Sequence, residues 1–208
     1  MFNLFGLIGM TYLNKQERKS QIIDSAKQIV LKEGLDALTV RHLASTSGIS
    51  VGQVHHHFGS VSELKVEVFL ALVRLNLETE NPITTDALIS LTNILGFEQS
   101  AEELTNLKLW NDAEQLIDSD PIFKCAYQQA IQLWHKSVKQ VLSHGLSANK
   151  FEFDIKQIDD IAWRLIAASC GLENLYNLNM PNMDADFFYQ HICIFIQNEI
   201  RVVDHTAM

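Results

Sequence analysis

Three histidines stand in a row, His55, His56 and His57, within the stretch SVGQVHHHFGSVSE. Imidazole ligates metals, shuttles protons and donates hydrogen bonds, and its spacing decides which of these is open. Successive helical residues point about 100° apart, whereas histidines that share an ion on a helix stand four apart. The three rings therefore diverge, and no metal site is expected. Val54, His57 and Phe58 share an inward face, so His57 reads as a partly buried packing residue with its ring hydrogen-bonded. His55 and His56 fall on the outer face. Two readings stand for them: donors to the acceptors of another molecule, or plain solvated side chains.

Catalysis needs titratable groups that converge. HExxH, a nucleophile elbow and a glycine-rich phosphate loop followed by lysine are all missing. The adjacent Asp159 and Asp160 diverge on their helix. No catalytic residue, cofactor or metal is expected.

The chain of 208 residues carries a net charge of -9, but unevenly. Residues 15–74 hold eight Lys or Arg against six Asp or Glu, a balance of +2, which leaves -11 for the remainder. Such a split suits a small module that tolerates a polyanion, followed by an acidic body that stays clear of it. Three cysteines, Cys125, Cys170 and Cys193, without CxxC spacing, read as reduced, small apolar side chains of a cytoplasmic protein. The start, MFNLFGLIGM, is too short to span a membrane and lacks a basic region and cleavage site. It is either an arm that packs on something or a start-site artefact with Met10 as the true initiator.

Helical periodicity dominates and alternation is scarce, so the fold class is all-α. A first helix, 16–33, carries Ile22, Ile23, Ala26, Ile29 and Val30 on one face, with Gly34 at a left-handed stop. TVRHLASTSGISVGQVHHHF reads as two short helices capped by Thr39 and Ser50, with a corner at Gly48. Ser50 with Gln53 forms a capping box and Ile49 with Val54 a staple; Ser60 with Glu63 repeats the box and opens a helix over 61–76. Beyond Pro82, helices are expected at about 85–95, at 101–118 after Ser100 with Glu103, and at 121–144, ended by Gly145. Two more are expected at 155–178 after Asp154 with Gln157, and at 185–203 after Asp184. The organisation is an arm (1–14), a module with its connecting helix (15–76) and a body (77–208).

From Thr39 to Leu64 the sequence TVRHLASTSGISVGQVHHHFGSVSEL resembles the helix-turn-helix of the tetracycline repressor (TetR) family. Thr39, Arg41, Gly48, Ile49, Ser50, Gly52, Val54, His57, Phe58 and Leu64 match its pattern. His55 replaces the usual Tyr, and Val61 replaces a Lys that meets a phosphate, a contact Lys65 one turn on could restore. The resemblance implies a three-helix DNA-binding domain followed by a helical ligand-binding and dimerisation domain. Thr39, Arg41 and Ser50 then anchor phosphates, and His55 and His56 donate to phosphate or base edges. Gln53 pairs with adenine and Val51 touches a thymine methyl. Gly52 either admits the sugar-phosphate wall or serves packing.

The expected partners are double-stranded DNA, a second copy of the chain and a small, partly apolar effector, with no membrane. For the dimer, the last two helices offer Ile158, Ile161, Leu165 and Leu172, and Phe188, Ile192, Phe195 and Ile196, as a four-helix bundle or else as ordinary core. For the effector, Trp110, Phe123, Tyr127 and Trp134 with His135, Trp163, Cys170 and Asn174 read equally as a pocket or a filled core. The function expected is a ligand-responsive repressor acting as a homodimer on a palindromic operator, the helix over 61–76 swinging when effector binds. The alternatives are an architectural or protein-binding member of the fold without effector, and a dimeric ligand-binding protein that has lost specific DNA binding.

Overall fold

The computed structural model describes residues 14–79, 86–96, 101–178 and 180–203, with backbone alone for Thr79 and residues 101–104. Met10 and the N-terminal stretch, Pro82, and the expected Ser100–Glu103 cap lie outside what is described. The chain forms two compact units, residues 1–68 and 69–208. The boundary expected after residue 76 falls further along the helix in which this division lies.

In the first unit α1 spans Lys15–Glu33. Asn14 caps it, its Oδ1 accepting from the Gln16 and Glu17 amides at 3.0 and 2.9 Å while Glu17 returns a carboxylate to the Asn14 N–H at 2.7 Å. Ile22, Ala26, Ile29 and Val30 form its buried stripe. Gly34 ends it with φ 95° and ψ 169°, a positive-φ stop that is extended where a left-handed one was expected. Then come α2 (Val40–Ser47), α3 (Val51–Phe58) and the start of α4 (Val61–Thr79). Helices of eight residues are marginal alone. Burying Leu43 fully from α2 and Val54 and Phe58 from α3 supplies about 2 kcal/mol each. Leu35, Leu38, Ile49, Leu64 and Val68 complete this core.

The second unit holds the rest of α4, then α5 (Ala87–Ile94), α6 (Ala101–Glu114), α7 (Pro121–Ser147), α8 (Ile158–Asn177) and α9 (Ala185–Glu199). Asp86, Asp120 and Asp184 cap α5, α7 and α9, and Pro121 occupies a first-turn position whose N–H has no helical use. α6 ends four residues short of 118. α8 is preceded by a 3-10 turn, Ile155–Gln157, whose cap Asp154 accepts from the Lys156 N–H; Gln157 makes no side-chain cap. The final expected turn of α9 is instead a strand: Phe151–Glu152 (β1) pairs antiparallel with Arg201–Val202 (β2).

Gly145 does not stop α7, which runs on to Ser147. A Cβ there would stand inside the ring of Phe151, the buried residue of β1. The glycine is a seat for an aromatic ring.

The apolar stripes of α8 and α9 also need correction. Ile161, Leu165, Leu172, Phe188, Ile192 and Ile196 are buried within the single chain, because α8 and α9 pack on each other and α8 on α7. Of the expected interface only Phe195 is exposed, at 40%, with Ile158 half-buried. The cysteines are not core: Cys125 and Cys170 are exposed and Cys193 is half-buried. Among the described residues no helix is long and apolar enough to cross a membrane, and no cluster of three potential ligands could hold a metal.

Candidate functional site

The corner before α3 turns at Gly48, whose φ of 68° is the left-handed conformation that glycine adopts without strain. Ser50 Oγ accepts from the Gln53 amide at 3.2 Å, and Gln53 Oε1 accepts from the Ser50 amide at 3.0 Å. The expected capping box is present, as is the next one: Ser60 Oγ accepts from the Glu63 amide at 3.1 Å and Glu63 Oε2 from the Ser60 amide at 3.2 Å. Gln53 therefore commits its carbonyl oxygen to its own helix. Bidentate pairing with adenine requires that oxygen as acceptor, so it competes with the cap.

With Val54 and Phe58 buried, the outer face of α3 presents Val51, Gly52, His55 and His56. Val51 is 42% exposed in the first turn. A Cβ on Gly52 would meet nothing within 4 Å. Packing among the described residues gives no reason for glycine at this second position of α3. His55 folds back, its Nδ1 donating to the Gly59 carbonyl at 3.1 Å, which leaves Nε2 as the nitrogen for an outside partner. His56 meets the His57 ring edge-on, centroids 5.3 Å apart.

His57 departs from expectation. It is half-buried, but its buried Nδ1 has no hydrogen-bond partner among the described residues. Burial lowers its pKa, and the charges of His56, Lys15, Lys19 and Arg18 lower it further. Such a group is neutral in the fold and takes up its proton on unfolding, so its contribution to stability is complete above about pH 6.5 and is lost as pH falls through the folded value. His57→Phe is expected to narrow the drop in melting temperature between pH 7.5 and pH 5.5. An unchanged drop in thermal melts at the two values would contradict this.

The flanking positions divide. Thr39 caps α2, its Oγ1 accepting from the His42 amide at 3.1 Å, and Arg41 is exposed in the following turn. Lys65 is not placed as a substitute phosphate contact. Its side chain is 15% exposed and its ammonium lies 3.5 Å from Asp36. Sequence reasoning missed that pairing and two others: His42 with Glu33 at 3.1 Å, and Lys19 with Glu67 at 2.7 Å. Their separations follow no helical spacing, so no local signal exposes them.

In the second unit the expected pocket set scatters. Phe69 stacks on Tyr127 and meets Trp110 edge-on, with centroids 6.2 and 5.5 Å apart, and packs against the fully buried Phe123. Phe123 and Tyr127 are thus parts of an aromatic cluster and line neither the inner cavity nor the cleft described below. Trp134 donates from Nε1 to the Ile94 carbonyl at 2.6 Å, and Ser169 Oγ donates to the Leu95 carbonyl. Beside these bonds lies an inner cavity of about 50 Å³, lined in part by Trp110, Trp134 and Cys170. That is room for a water molecule or two, not for an effector. His135 and Trp163 stack on each other, centroids 4.1 Å apart, away from it and beside Asp159. A larger cleft of about 480 Å³ lies between the last turns of α6 and α8, lined by Trp110, Glu114, Cys170, Glu173 and Asn174 among others.

Residues 22–68 match the model of the bacterial regulatory proteins of the tetR family. Over 138 residues the chain is 22% identical to the HTH-type transcriptional repressor AcnR of Corynebacterium glutamicum, covering 66% of this chain and 70% of that one. Over 154 residues it is 25% identical to the HTH-type transcriptional repressor KstR2 of Mycobacterium tuberculosis, covering 72% and 76%. A regulator from Saccharomonospora viridis solved in complex with choline superposes with a TM-score of 0.69 at 20% identity, covering 91% of this chain and all of that one. The multidrug binding protein EbrR complexed with proflavin gives 0.59 at 18%, covering 86% and 99%. Helix-turn-helix module, fold and relatives agree: residues 22–68 match the DNA-binding domain of the tetR family of bacterial regulatory proteins, and the chain resembles HTH-type transcriptional repressors over about two thirds of its length.

Proposed function

We propose that this regulator is a ligand-responsive repressor that binds a palindromic operator as a homodimer. The observation that carries the DNA-reading part is the outer face of α3, where an exposed valine, a glycine with open space at its Cβ position and two exposed histidines stand together over its first two turns. In this reading Thr39, Arg41 and Ser50 hold phosphates while Val51, Gly52, His55 and His56 meet the groove, with Gln53 engaging a base only by leaving its cap. A single module covers too little of a site, and a second copy supplies the other half. The exposed Trp163 of α8 and Ile194 and Phe195 of α9 suit the contact with that copy, in place of the buried stripe. Effector bound in the second unit would reach the first through α4, the helix both share.

Selection of bound sequences from a random DNA pool tests this. The expected product is an inverted repeat with half-site centres about 10 base pairs, or a multiple of that, apart. A site without twofold symmetry, or a stable monomer by light scattering at micromolar concentration, would remove the dimeric reading. A second reading keeps DNA binding and drops the effector. The nearly filled interior favours it; the open cleft favours the first.

A further inference from the structure

We propose that the cleft between the last turns of α6 and α8 binds an organic cation with an apolar body, an assignment that rests on the ligand-responsive reading and names its effector class. At about 480 Å³ the cleft lies within the range of small-molecule sites, roughly 300–1,000 Å³. Its walls carry one sign of charge. Glu114 and Glu173 line it, and among the described residues that line it none is Lys, Arg or His. Both helices also end there: α6 at Glu114 and α8 at Asn177. Each C-terminus brings a partial negative charge from its last carbonyls, which favours a cation within a turn of it.

The field is felt by the chain's own groups. The Cys170 thiol is pushed up to about 11, by desolvation first and then by the Glu173 and Glu114 carboxylates. Tyr127 is raised by burial and by the same two acids. Groups that would become anions there are held neutral, and an anionic ligand meets the same opposition. Trp110 lines both cleft and inner cavity, and indole is the aromatic surface that attracts cations most strongly. Asn111 and Asn177, joined by a 3.0 Å hydrogen bond, form a polar rim. A bare metal ion does not fit the pattern, since among the described residues no three potential ligands converge. What remains is a molecule that presents positive charge to the acids and apolar surface to the indole.

Three tetrahedral phenyl compounds of comparable size separate charge from shape: the cation tetraphenylphosphonium, neutral triphenylphosphine oxide and the anion tetraphenylborate. Titrated calorimetrically into the full chain, the phosphonium is expected to bind at micromolar concentration and the other two at least about tenfold more weakly. Glu114→Gln with Glu173→Gln is expected to weaken the phosphonium about tenfold and leave the phosphine oxide unchanged. Should that variant not fold, salt gives the same readout on the wild type, since only the charged ligand loses affinity as ionic strength rises. Equal binding of the neutral or anionic compound would overturn the cation assignment and leave the ligand-responsive reading standing. Failure of all three to bind would overturn the cleft as the effector site. Phosphonium binding that leaves affinity for the selected DNA unchanged would keep the site and overturn the ligand-responsive reading.

Discussion

Val51→Asp is expected to leave the chain as stable as before while lowering its affinity for its DNA site by about a hundredfold or more. The two effects separate because Val51 is 42% exposed at the first position of α3, where little core is lost on truncation. An aspartate at a helix N-terminus gains about 0.3–1 kcal/mol from the dipole, enough to offset the small loss of buried methyl surface. Toward DNA the same carboxylate is misplaced. A negative charge set against the groove wall juxtaposes like charges, which costs several kcal/mol, and a hundredfold corresponds to about 2.7. A thermal melt and a fluorescence anisotropy titration with the selected duplex measure the two halves. Retained affinity with retained stability would mean that the first turn of α3 does not face the duplex.

Gly145→Ala is expected to destabilise the second unit by about 2 kcal/mol, although alanine is the better helix former by about 1 kcal/mol. The reversal comes from Phe151, whose buried ring occupies the place of the added methyl. Overpacking a well-filled core costs about 1–3 kcal/mol, and here the neighbour is a rigid ring with no flexible end to yield. Phe151→Leu makes room. The double variant should therefore be more stable than the sum of the single losses predicts, with a coupling of about 1 kcal/mol or more by urea denaturation. Simple additivity would show that ring and glycine do not touch. A Gly145→Ala chain more stable than wild type would show that propensity alone governs the position.

The helix starts were legible wherever their logic is local. Ser50 with Gln53, Ser60 with Glu63, and Asp120 before Pro121 announce themselves within four residues, and each cap is formed. Helix ends were harder. Gly145 looks like a stop in any local window, and only the return of Phe151 explains why the helix passes through it. A hydrophobic stripe says that a face is covered and not by what. Ile161 and Ile192 are covered within their own chain, whereas the exposed Ile194 has no stripe of its own to betray it. The cleft was the least legible part. Glu114 and Glu173 lie far apart in sequence, and each alone is an ordinary surface acid until the two helix ends bring them to one opening.

The hydrogen bond between the Ser50 amide and Gln53 Oε1 bears on how faithful the regulator is. Any base that draws Gln53 outward must outcompete an acceptor contact already satisfied, so the preference at that base pair is a difference between two similar energies. Operators collected for this regulator should accordingly show a degenerate letter at that step of each half, flanked by firmer ones where no internal contact has to be given up.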